Sequence, residues 1–154
     1  MIEQRTEGLF CEPGNFYIDP VRTCKNAFIT HAHADHARPG MDNYFCTPET
    51  AEIIRHRIDK NLSIKEIKYH QRIKFNQVYV TFYPAGHVLG SAQILIEYKD
   101  NRTIITGDYK RQPDSTCKAF EPVQCNTFIS EATFANPKFK WGSFDEEIKN
   151  IHRY

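Results

Sequence analysis

The sequence predicts an α+β fold with a mainly antiparallel sheet and few helices. Short runs of β-branched and aromatic residues recur along the chain, and turn-forming glycine, proline, asparagine and aspartate separate them. Helical periodicity with a recognisable cap is confined to a few segments. No repeat or low-complexity stretch interrupts this order, and 154 residues are enough for one ordinary domain.

The first strands are expected on either side of a tight turn. Residues 9–11 and 15–18 flank Glu12-Pro13-Gly14, which favours an antiparallel hairpin. Residues 27–30 form the next predicted strand, and this strand ends directly before a histidine-rich segment.

One helix is predicted after this segment. Thr47 is a suitable cap, and Pro48 fits the first helical position. The helix is expected to extend to about Lys60. Its inward stripe is formed by Ala51, Ile54 and Ile58.

Further strands are expected in the middle of the chain. Residues 67–75 alternate apolar with basic side chains, which predicts one strand with an apolar and a basic face. The basic face fits a phosphate contact or, as we favour, a solvated outer face whose charges prevent edge pairing. Residues 78–83 are strongly β-prone, and residues 93–98 and 103–106 form a second predicted hairpin.

The last segment has a helical pattern. Ser143-Phe144-Asp145-Glu146 resembles a capping box, and Phe144, Ile148 and Ile151 follow at helical spacing. We expect His152 to lie on the solvent side of this helix rather than to act as a ligand.

Four potential metal ligands follow the strand at residues 27–30, namely His31, His33, Asp35 and His36. In an extended chain, side chains two apart point the same way, so His31 and His33 can bind one ion. Asp35 and His36 require a turn, which would direct them to a second ion. Chance clustering is a weak alternative, because the chain has only 7 histidines.

Two further ligands are expected where later strands end. The run 78–83 breaks at Pro84-Ala85-Gly86, which places His87 in a loop as the third histidine of the first ion. Gly107 stops the strand 103–106, and Asp108 follows it as a carboxylate that can bridge two metals. Each residue alone fits an ordinary loop position, but open metal sites are commonly assembled from loops on a rigid sheet.

These residues resemble the motifs of the metallo-β-lactamase superfamily, and more narrowly those of its β-CASP branch of nucleic-acid-processing enzymes. Residues 31–36 match the second motif, His87 the third and Asp108 the fourth. Residues 86–92 have the form of the third motif seen in nucleases of this branch, and the resemblance covers nearly the whole chain.

Within the branch, the chain is most similar to bacterial ligase-associated DNA exonucleases, which are also described as mRNA 3′-end processing factors. The similarity is carried by residues 10–20, 31–40 and 107–111. It suggests nucleic acid as the substrate and DNA ligase or a helicase as partners.

The resemblance implies roles for two residues outside the ligand set. Asp19 takes the place of the first motif, an aspartate that supports the ligand loop, and Glu131 matches the acidic motif that opens the β-CASP part. Independently, Lys110, Arg111 and Arg38 are candidate contacts to substrate phosphates, because they lie close to ligands in the sequence. Arginines near a ligand loop also often fix the loop through carboxylate pairs.

The fold that the resemblance implies is the N-terminal part of an αββα sandwich. Residues 1–154 would then form a partial domain, without its C-terminal half and without the β-CASP part. Family members continue with further histidines, one of which completes the second metal site. We therefore expect a fragment or truncated gene product in which the ligands of the first ion are complete and those of the second are not.

Composition adds weaker constraints. The net charge of +1 means that nucleic acid would have to be bound by local patches. The 5 cysteines are odd in number and lack a Cys-x-x-Cys pair, which favours free thiols in a reducing compartment. The absence of a long apolar segment or leader leads us to expect a cytoplasmic protein without a membrane span.

The ligand set predicts a hydrolase. Two Zn²⁺ ions about 3.5 to 4 Å apart would lower the pKa of a bridging water toward about 7 and neutralise charge that develops at phosphorus. Asp35, His36 and Asp108 are the expected catalytic ligands. Such ligands suit zinc without excluding manganese or iron.

Three functions fit these observations. The leading hypothesis is a metal-dependent nuclease that acts on DNA or RNA, with exonucleolytic cleavage implied only by the resemblance. The second is a small-molecule hydrolase of the same fold, acting on a thioester or lactam. The third is a metal-binding but catalytically incomplete fragment.

Overall fold

A computed structural model describes residues 1–113, 115–133, 135–140 and 149 of the chain. The first of its two sheets has six strands in the order β1-β2-β3-β4-β5-β6. Their bounds are β1 Ile2–Arg5, β2 Gly8–Cys11, β3 Phe16–Ile18, β4 Asn26–Phe28, β5 Asn43–Cys46 and β6 Ile64–Glu66. The first two pairings in this order are antiparallel, and the remaining three are parallel.

The second sheet has five strands in the order β11-β10-β9-β8-β7. Their bounds are β7 Ile73–Phe75, β8 Val78–Pro84, β9 Ala92–Tyr98, β10 Asn101–Ile105 and β11 Thr127–Ile129. Strands β7 to β10 form an antiparallel meander, and β11 joins β10 in parallel. The α+β class is therefore confirmed, whereas a mainly antiparallel arrangement holds for the second sheet only.

Two of the three parallel pairings in the first sheet, β4 with β5 and β5 with β6, follow from longer connections. A hairpin produces antiparallel neighbours, whereas a longer crossover lets the chain return in the same direction. Residues 29–42, which include the histidine-rich segment, connect β4 with β5. The helix α1, Pro48–Arg57, lies between β5 and β6.

The main core lies between the two sheets. It includes Phe16, Phe28 and Phe45 from the first sheet and Val80 and Ile94 from the second. The rings of Phe28 and Phe45 stack with centroids 4.6 Å apart. A smaller cluster lies on the other face of the first sheet and includes residues of α1. The described residues thus form layers of helix, sheet and sheet.

Helix α1 has the predicted cap and face. Thr47 accepts a hydrogen bond from the Thr50 amide, and Pro48 occupies the first turn. Ala51 and Ile54 are fully buried, and Ile58 packs against the same cluster. The helix ends at Arg57, a little before the predicted end, and Ile58 is its C-cap.

The predicted hairpins are also confirmed. Strands β2 and β3 pair around the predicted turn, and β9 and β10 pair across a turn at Lys99 and Asp100. The strand predicted at residues 27–30 ends earlier, at Phe28, because the chain there leaves the sheet to form the histidine-rich loop.

The single strand predicted at residues 67–75 is wrong. Strand β6 ends at Glu66 in the first sheet, whereas β7 begins at Ile73 in the second. His70, between them, has a left-handed φ of 64°. The apolar side chains alternate with basic ones over residues 67–75 because the segment packs against the main core first beside one sheet and then beside the other.

The basic side chains of this segment lie on the exposed side, as favoured. Arg72 forms an ion pair with Glu97, with Nε and Oε2 2.8 Å apart, and its guanidinium lies over the Tyr79 ring. Apart from residue 149, the helix predicted from Ser143 lies outside the described residues, and so does His152. In the described part of the chain, no helix has the length and apolar character needed to cross a membrane.

Candidate metal centre

Each principal ligand follows a strand of the core. His31, His87 and Asp108 lie three residues beyond Phe28, Pro84 and Ile105, the last residues of β4, β8 and β10. The strands fix the backbone, and the loops deliver the side chains. The two sheets thus bring together residues that are distant in sequence.

Three imidazoles and one carboxylate meet beyond these strand ends. His31, His33, His87 and Asp108 each offer one ligand atom, and these atoms all lie within 4.8 Å of one another. Nδ1 of His33 lies 3.0 Å from Nε2 of His31 and 3.3 Å from Nε2 of His87. Oδ2 of Asp108 lies 3.9 Å from Nε2 of His31 and 3.6 Å from Nε2 of His87. One divalent cation could bind this set.

A second group of donors adjoins the first. The predicted turn lies at residues 34–36, and the His36 and Ala37 amides both donate to the His33 carbonyl. His36 Nε2 consequently lies 3.3 Å from Oδ1 of Asp108 and 3.7 Å from Oδ2 of Asp35. The two oxygens of Asp108 therefore face different histidines, an arrangement that allows one carboxylate to bridge two ions.

Asp19 links the two groups of candidate ligands through hydrogen bonds to Thr30 and His36. Its Oδ1 accepts the Thr30 amide at 2.8 Å, and its Oδ2 accepts the Thr30 hydroxyl at 2.5 Å. Its Oδ2 also lies 2.8 Å from Nδ1 of His36. The Asp19 carboxylate thus contacts both Thr30, which precedes His31, and the ring of His36.

This network fixes the tautomer of His31. Thr30 Oγ1 lies 3.1 Å from Nδ1 of His31, but its only hydrogen is donated to Asp19. His31 Nδ1 must therefore be protonated and donate this hydrogen bond to Thr30 Oγ1. That assignment leaves a lone pair on Nε2, which faces the ligand cluster.

Electrostatics favour the neutral form of two of the histidines. Burial, together with the neighbouring His36, His33 and His87, lowers the pKa of His31 to about 2. Burial also lowers the pKa of His87, although Asp108 opposes this effect. For His36, burial favours the neutral ring, but the hydrogen bond to Asp19 and the nearby carboxylates outweigh it and raise the pKa.

A wide groove opens beside the cluster. It has a volume of 1120 Å³, and its lining includes His87, Asp108, Lys110, Arg111 and Glu131. A Glu131 oxygen accepts the Thr133 amide at 3.0 Å. Although burial alone would raise the pKa of Glu131, hydrogen bonds from this neighbouring segment lower it overall.

Arg38 lies elsewhere. It does not line this groove, and its Nε donates to the Asp35 carbonyl at 3.3 Å. The Arg38 carbonyl in turn accepts the Tyr44 hydroxyl at 2.8 Å. The Arg38 side chain therefore contacts the ligand loop through a backbone carbonyl, and no carboxylate pair is seen for it among the described residues.

Several residues of the site were not assigned a role from the sequence. Thr30 was predicted only as the last residue of the strand 27–30, and its hydrogen bond to Asp19 spans 11 residues. Gly107 has a φ of 55°, and a side chain there would lie 2.5 Å from Thr30 Oγ1. Both positions depend on the approach of separate strands, for which the local sequence carries no signal.

Known proteins resemble the chain along much of its length. It is 29% identical over 148 residues to a probable DNA ligase of Opitutus terrae, a match that covers 95% of the chain. It is 36% identical over 80 residues to cleavage and polyadenylation specificity factor subunit 3 of Dictyostelium discoideum, and 37% identical over 79 residues to endoribonuclease YSH1 of Saccharomyces cerevisiae. Each of the last two matches covers 50% of the chain.

The predicted resemblance is confirmed. The chain is similar, at moderate identity over half of its length or more, to relatives named for DNA ligation, RNA cleavage and polyadenylation. The chain corresponds to only 14% of the length of the ligase and 10% of each of the other two relatives. No family model matches it.

Among solved structures, the chain is similar to a protein of unknown function from Enterococcus faecalis. The TM-score is 0.48 at 20% identity, and the match covers 56% of this chain and 25% of the other.

Proposed function

We propose that this chain is the metal-binding part of a hydrolase that cleaves phosphodiester bonds in nucleic acid. The observation that carries the proposal is the convergence of His31, His33, His87 and Asp108, with all ligand atoms within 4.8 Å. His36 and Asp35, on the far side of Asp108, would hold a second ion together with it. When bound, divalent cations supply Lewis acidity toward a phosphoryl oxygen and make water a stronger nucleophile.

The residues of the chain would prepare this centre in three ways. The buried His31 would stay neutral and offer its Nε2 lone pair over the whole physiological pH range. Asp108 would provide a separate oxygen to each group. Asp19 would hold Thr30 and His36 and thereby orient histidines of both groups.

The charges that line the groove support a substrate that carries phosphates. Lys110 and Arg111 line it next to Asp108, so their positive charges could contact phosphates on either side of the bond that is cleaved. Arg38 is a weaker candidate, because it does not line the groove.

The finer parts of the proposal rest on the relatives. Two of them are named for RNA cleavage or polyadenylation and one for DNA ligation, so both RNA 3′-end processing and DNA exonuclease activity are proposed. The name of the ligase relative also supports a DNA ligase as a partner, alongside the expected helicase. The layers of helix, sheet and sheet are consistent with part of an αββα sandwich.

The ions and compartment are likewise proposals. We propose two Zn²⁺ ions, with manganese or iron as alternatives, since imidazole and carboxylate ligands accept all three. The second site would need donors beyond Asp35, His36 and Asp108 to be complete. The free state of all five cysteines supports a reducing compartment such as the cytoplasm.

A cleavage assay tests the proposal. The purified protein is incubated with end-labelled single- and double-stranded DNA and RNA, with and without a chelator, and the products are sized. We expect chelator-sensitive cleavage of at least one polymer, with released mononucleotides indicating exonuclease action and internal fragments indicating endonuclease action.

Matched variants make the assay specific. Asp108→Asn and His33→Ala should abolish the chelator-sensitive cleavage, whereas His56→Ala, at an exposed histidine of α1, should leave it unchanged. Bound zinc in this chain without turnover of any polymer would favour a catalytically incomplete metal-binding fragment. The same result in a longer form that supplies the missing donors would refute the nuclease proposal. Turnover of a glutathione thioester without nucleic-acid cleavage would favour the small-molecule hydrolase.

A further inference from the structure

The loop that carries His87 is closed on itself by one serine. Ser91 is 2% exposed, and its Oγ accepts the His87 amide at 3.1 Å and the Val88 amide at 3.2 Å. The Ser91 amide donates to the Val88 carbonyl at 2.9 Å, and its carbonyl accepts the Ala85 amide at 3.1 Å. A single side chain therefore holds the backbone on both sides of the His87 Cα.

Helix α1 anchors the far side of this loop. The Gly90 carbonyl accepts the hydroxyls of Thr47 at 2.7 Å and Thr50 at 3.0 Å, and both threonines are fully buried. Gly90 has a φ of 80°, and a Cβ there would lie 2.6 Å from the Thr50 amide nitrogen. Only glycine allows so close an approach of the loop to the helix.

A tyrosine between the two sheets provides another anchor. The hydroxyl of Tyr69 donates to the Ser91 carbonyl at 2.8 Å. Burial, with smaller effects of Glu49 and Cys117, raises the pKa of Tyr69, so the hydroxyl remains a donor at neutral pH.

The same loop is joined to the strand end that carries His31. The Ala92 amide, next to Ser91, donates to the Thr30 carbonyl at 2.8 Å. This bond sets the distance between the His87 loop and the His31 loop. A change in Ser91 would therefore alter the relation between two ligands that come from different sheets.

We infer that Ser91 is a positioning residue of the metal centre, which fixes the His87 imidazole relative to His31, and that Thr50 and Tyr69 hold Ser91 in place. The inference rests on the metal-binding part of the proposed function. Residues that orient a ligand without touching the ion typically change metal affinity when they are removed.

Cobalt binding tests the inference without any need for catalysis. Co²⁺ is titrated into the complete protein, and its visible absorption reports both affinity and ligand geometry. Ser91→Ala should weaken Co²⁺ binding by about 10- to 100-fold and change the spectrum of the bound ion. Ser63→Ala is the control, because Ser63 is exposed and its hydroxyl contacts Asn43.

A pair of threonine variants separates the hydroxyl from simple packing. Thr50→Val keeps the volume but loses the bond to Gly90, whereas Thr50→Ser keeps the bond and loses a methyl group. Thr50→Val and Tyr69→Phe should weaken Co²⁺ binding, and Thr50→Ser should bind as the parent does. If Ser91→Ala does not fold, these variants test whether the contacts that hold Ser91 influence metal binding.

Amide exchange of the metal-free protein provides a second measurement. The His87 and Val88 amides should exchange faster in Ser91→Ala than in the parent, because both lose their acceptor. Parent-like affinity, spectrum and exchange in Ser91→Ala would overturn the inference, as would parent-like binding by both Thr50→Val and Tyr69→Phe. A parent protein that takes up no Co²⁺ would overturn it as well.

The failure of this inference can be distinguished from the failure of the nuclease proposal. A protein that binds Co²⁺ and responds to Ser91→Ala but cleaves no polymer would retain the inference and lose the nuclease function. A protein that cleaves nucleic acid but whose variants all bind Co²⁺ as the parent does would retain the nuclease function and lose the inference about Ser91.

Discussion

At the scale of single residues, Asp19 connects the two groups of candidate ligands. Its carboxylate accepts the amide and the hydroxyl of Thr30 and contacts Nδ1 of His36. Thr30 in turn fixes the tautomer of His31. One acidic side chain outside the four clustered ligands thus orients His31, which belongs to that cluster, and His36, which lies beside it.

Replacing Asp19 should therefore weaken metal binding. Asp19→Asn removes the charge and one acceptor, so His36 and Thr30 lose part of their support. We expect zinc affinity, measured by competition with a chromophoric chelator, to fall by about 10- to 100-fold. Asp42→Asn, at an exposed aspartate, is the control. Equal affinities in the two variants would contradict this role.

The cysteines provide an independent residue-scale prediction. Cys11 and Cys46 are fully buried, and burial raises their pKa values to about 11 and about 12. Because the thiolate is the reactive form, both should react with a thiol reagent at pH 8 only after unfolding. Cys117 and Cys125, which are partly exposed, should react first in the native protein. Mass spectrometry of the labelled peptides would reveal the order, and uniform labelling would disprove it.

The proximity of the side chains within residues 31–36 could be predicted from the sequence for a local reason. The turn and the alternation within residues 31–36 are properties of a short peptide, so their geometry follows from spacing. The roles of Thr30, Ser91 and Tyr69 could not be predicted in this way. Thr30 lies 11 residues from Asp19, and Tyr69 lies 22 residues from Ser91, so only the folded chain brings these pairs together. The Ser91 hydroxyl binds the amides of His87 and Val88 nearby, but in a loop conformation that the sequence pattern did not indicate.

At the scale of elements, helix α1 combines packing with support for the site. Ala51 and Ile54 cover the first sheet, and Thr47 and Thr50 at the start of the helix bind the His87 loop. Thr47 and Pro48 mark the helix start in the sequence, so its position was predictable. Its contact with Gly90 spans more than 40 residues and was not.

Two adjacent isoleucines test the packing of α1. Ile54 is fully buried, whereas Ile53 is 37% exposed. Ile54→Ala should lower the free energy of unfolding by about 2 to 5 kcal/mol because it leaves a cavity. Ile53→Ala should change it by less than about 1 kcal/mol. Urea denaturation measures both, and similar losses would mean that the helix packs through a different face.

Strand pairing shows where sequence periodicity reaches its limit. The hairpins β2–β3 and β9–β10 were predictable because their turns have strong signals. The alternation over residues 67–75 was misleading, since it spans a crossing from one sheet to the other. A period of two indicates which side chains face a core but not which sheet supplies each strand.

At the scale of the whole molecule, the candidate site connects the two sheets. His31 and His33 follow the first sheet, and His87 and Asp108 follow the second. An ion held by all four would join the layers and bind the folded state only. Metal binding should therefore be coupled to stability.

Thermal unfolding measures this coupling. At a free zinc concentration of about 100 times the dissociation constant, the native state should gain about 2.7 kcal/mol, which corresponds to a rise in Tm of roughly 5 to 10 °C. His33→Ala should lose most of this rise, and His56→Ala should keep it. A rise that is equal in both variants would indicate that zinc binds elsewhere.

The most direct test of the metal centre is a crystal structure of the zinc-loaded protein with anomalous scattering recorded at the zinc edge. We predict a peak at about 2.0 to 2.1 Å from one nitrogen of each of His31, His33 and His87, with an oxygen of Asp108 completing the set. Bound zinc located on other residues, or a zinc-saturated crystal without a peak among these four side chains, would contradict the account.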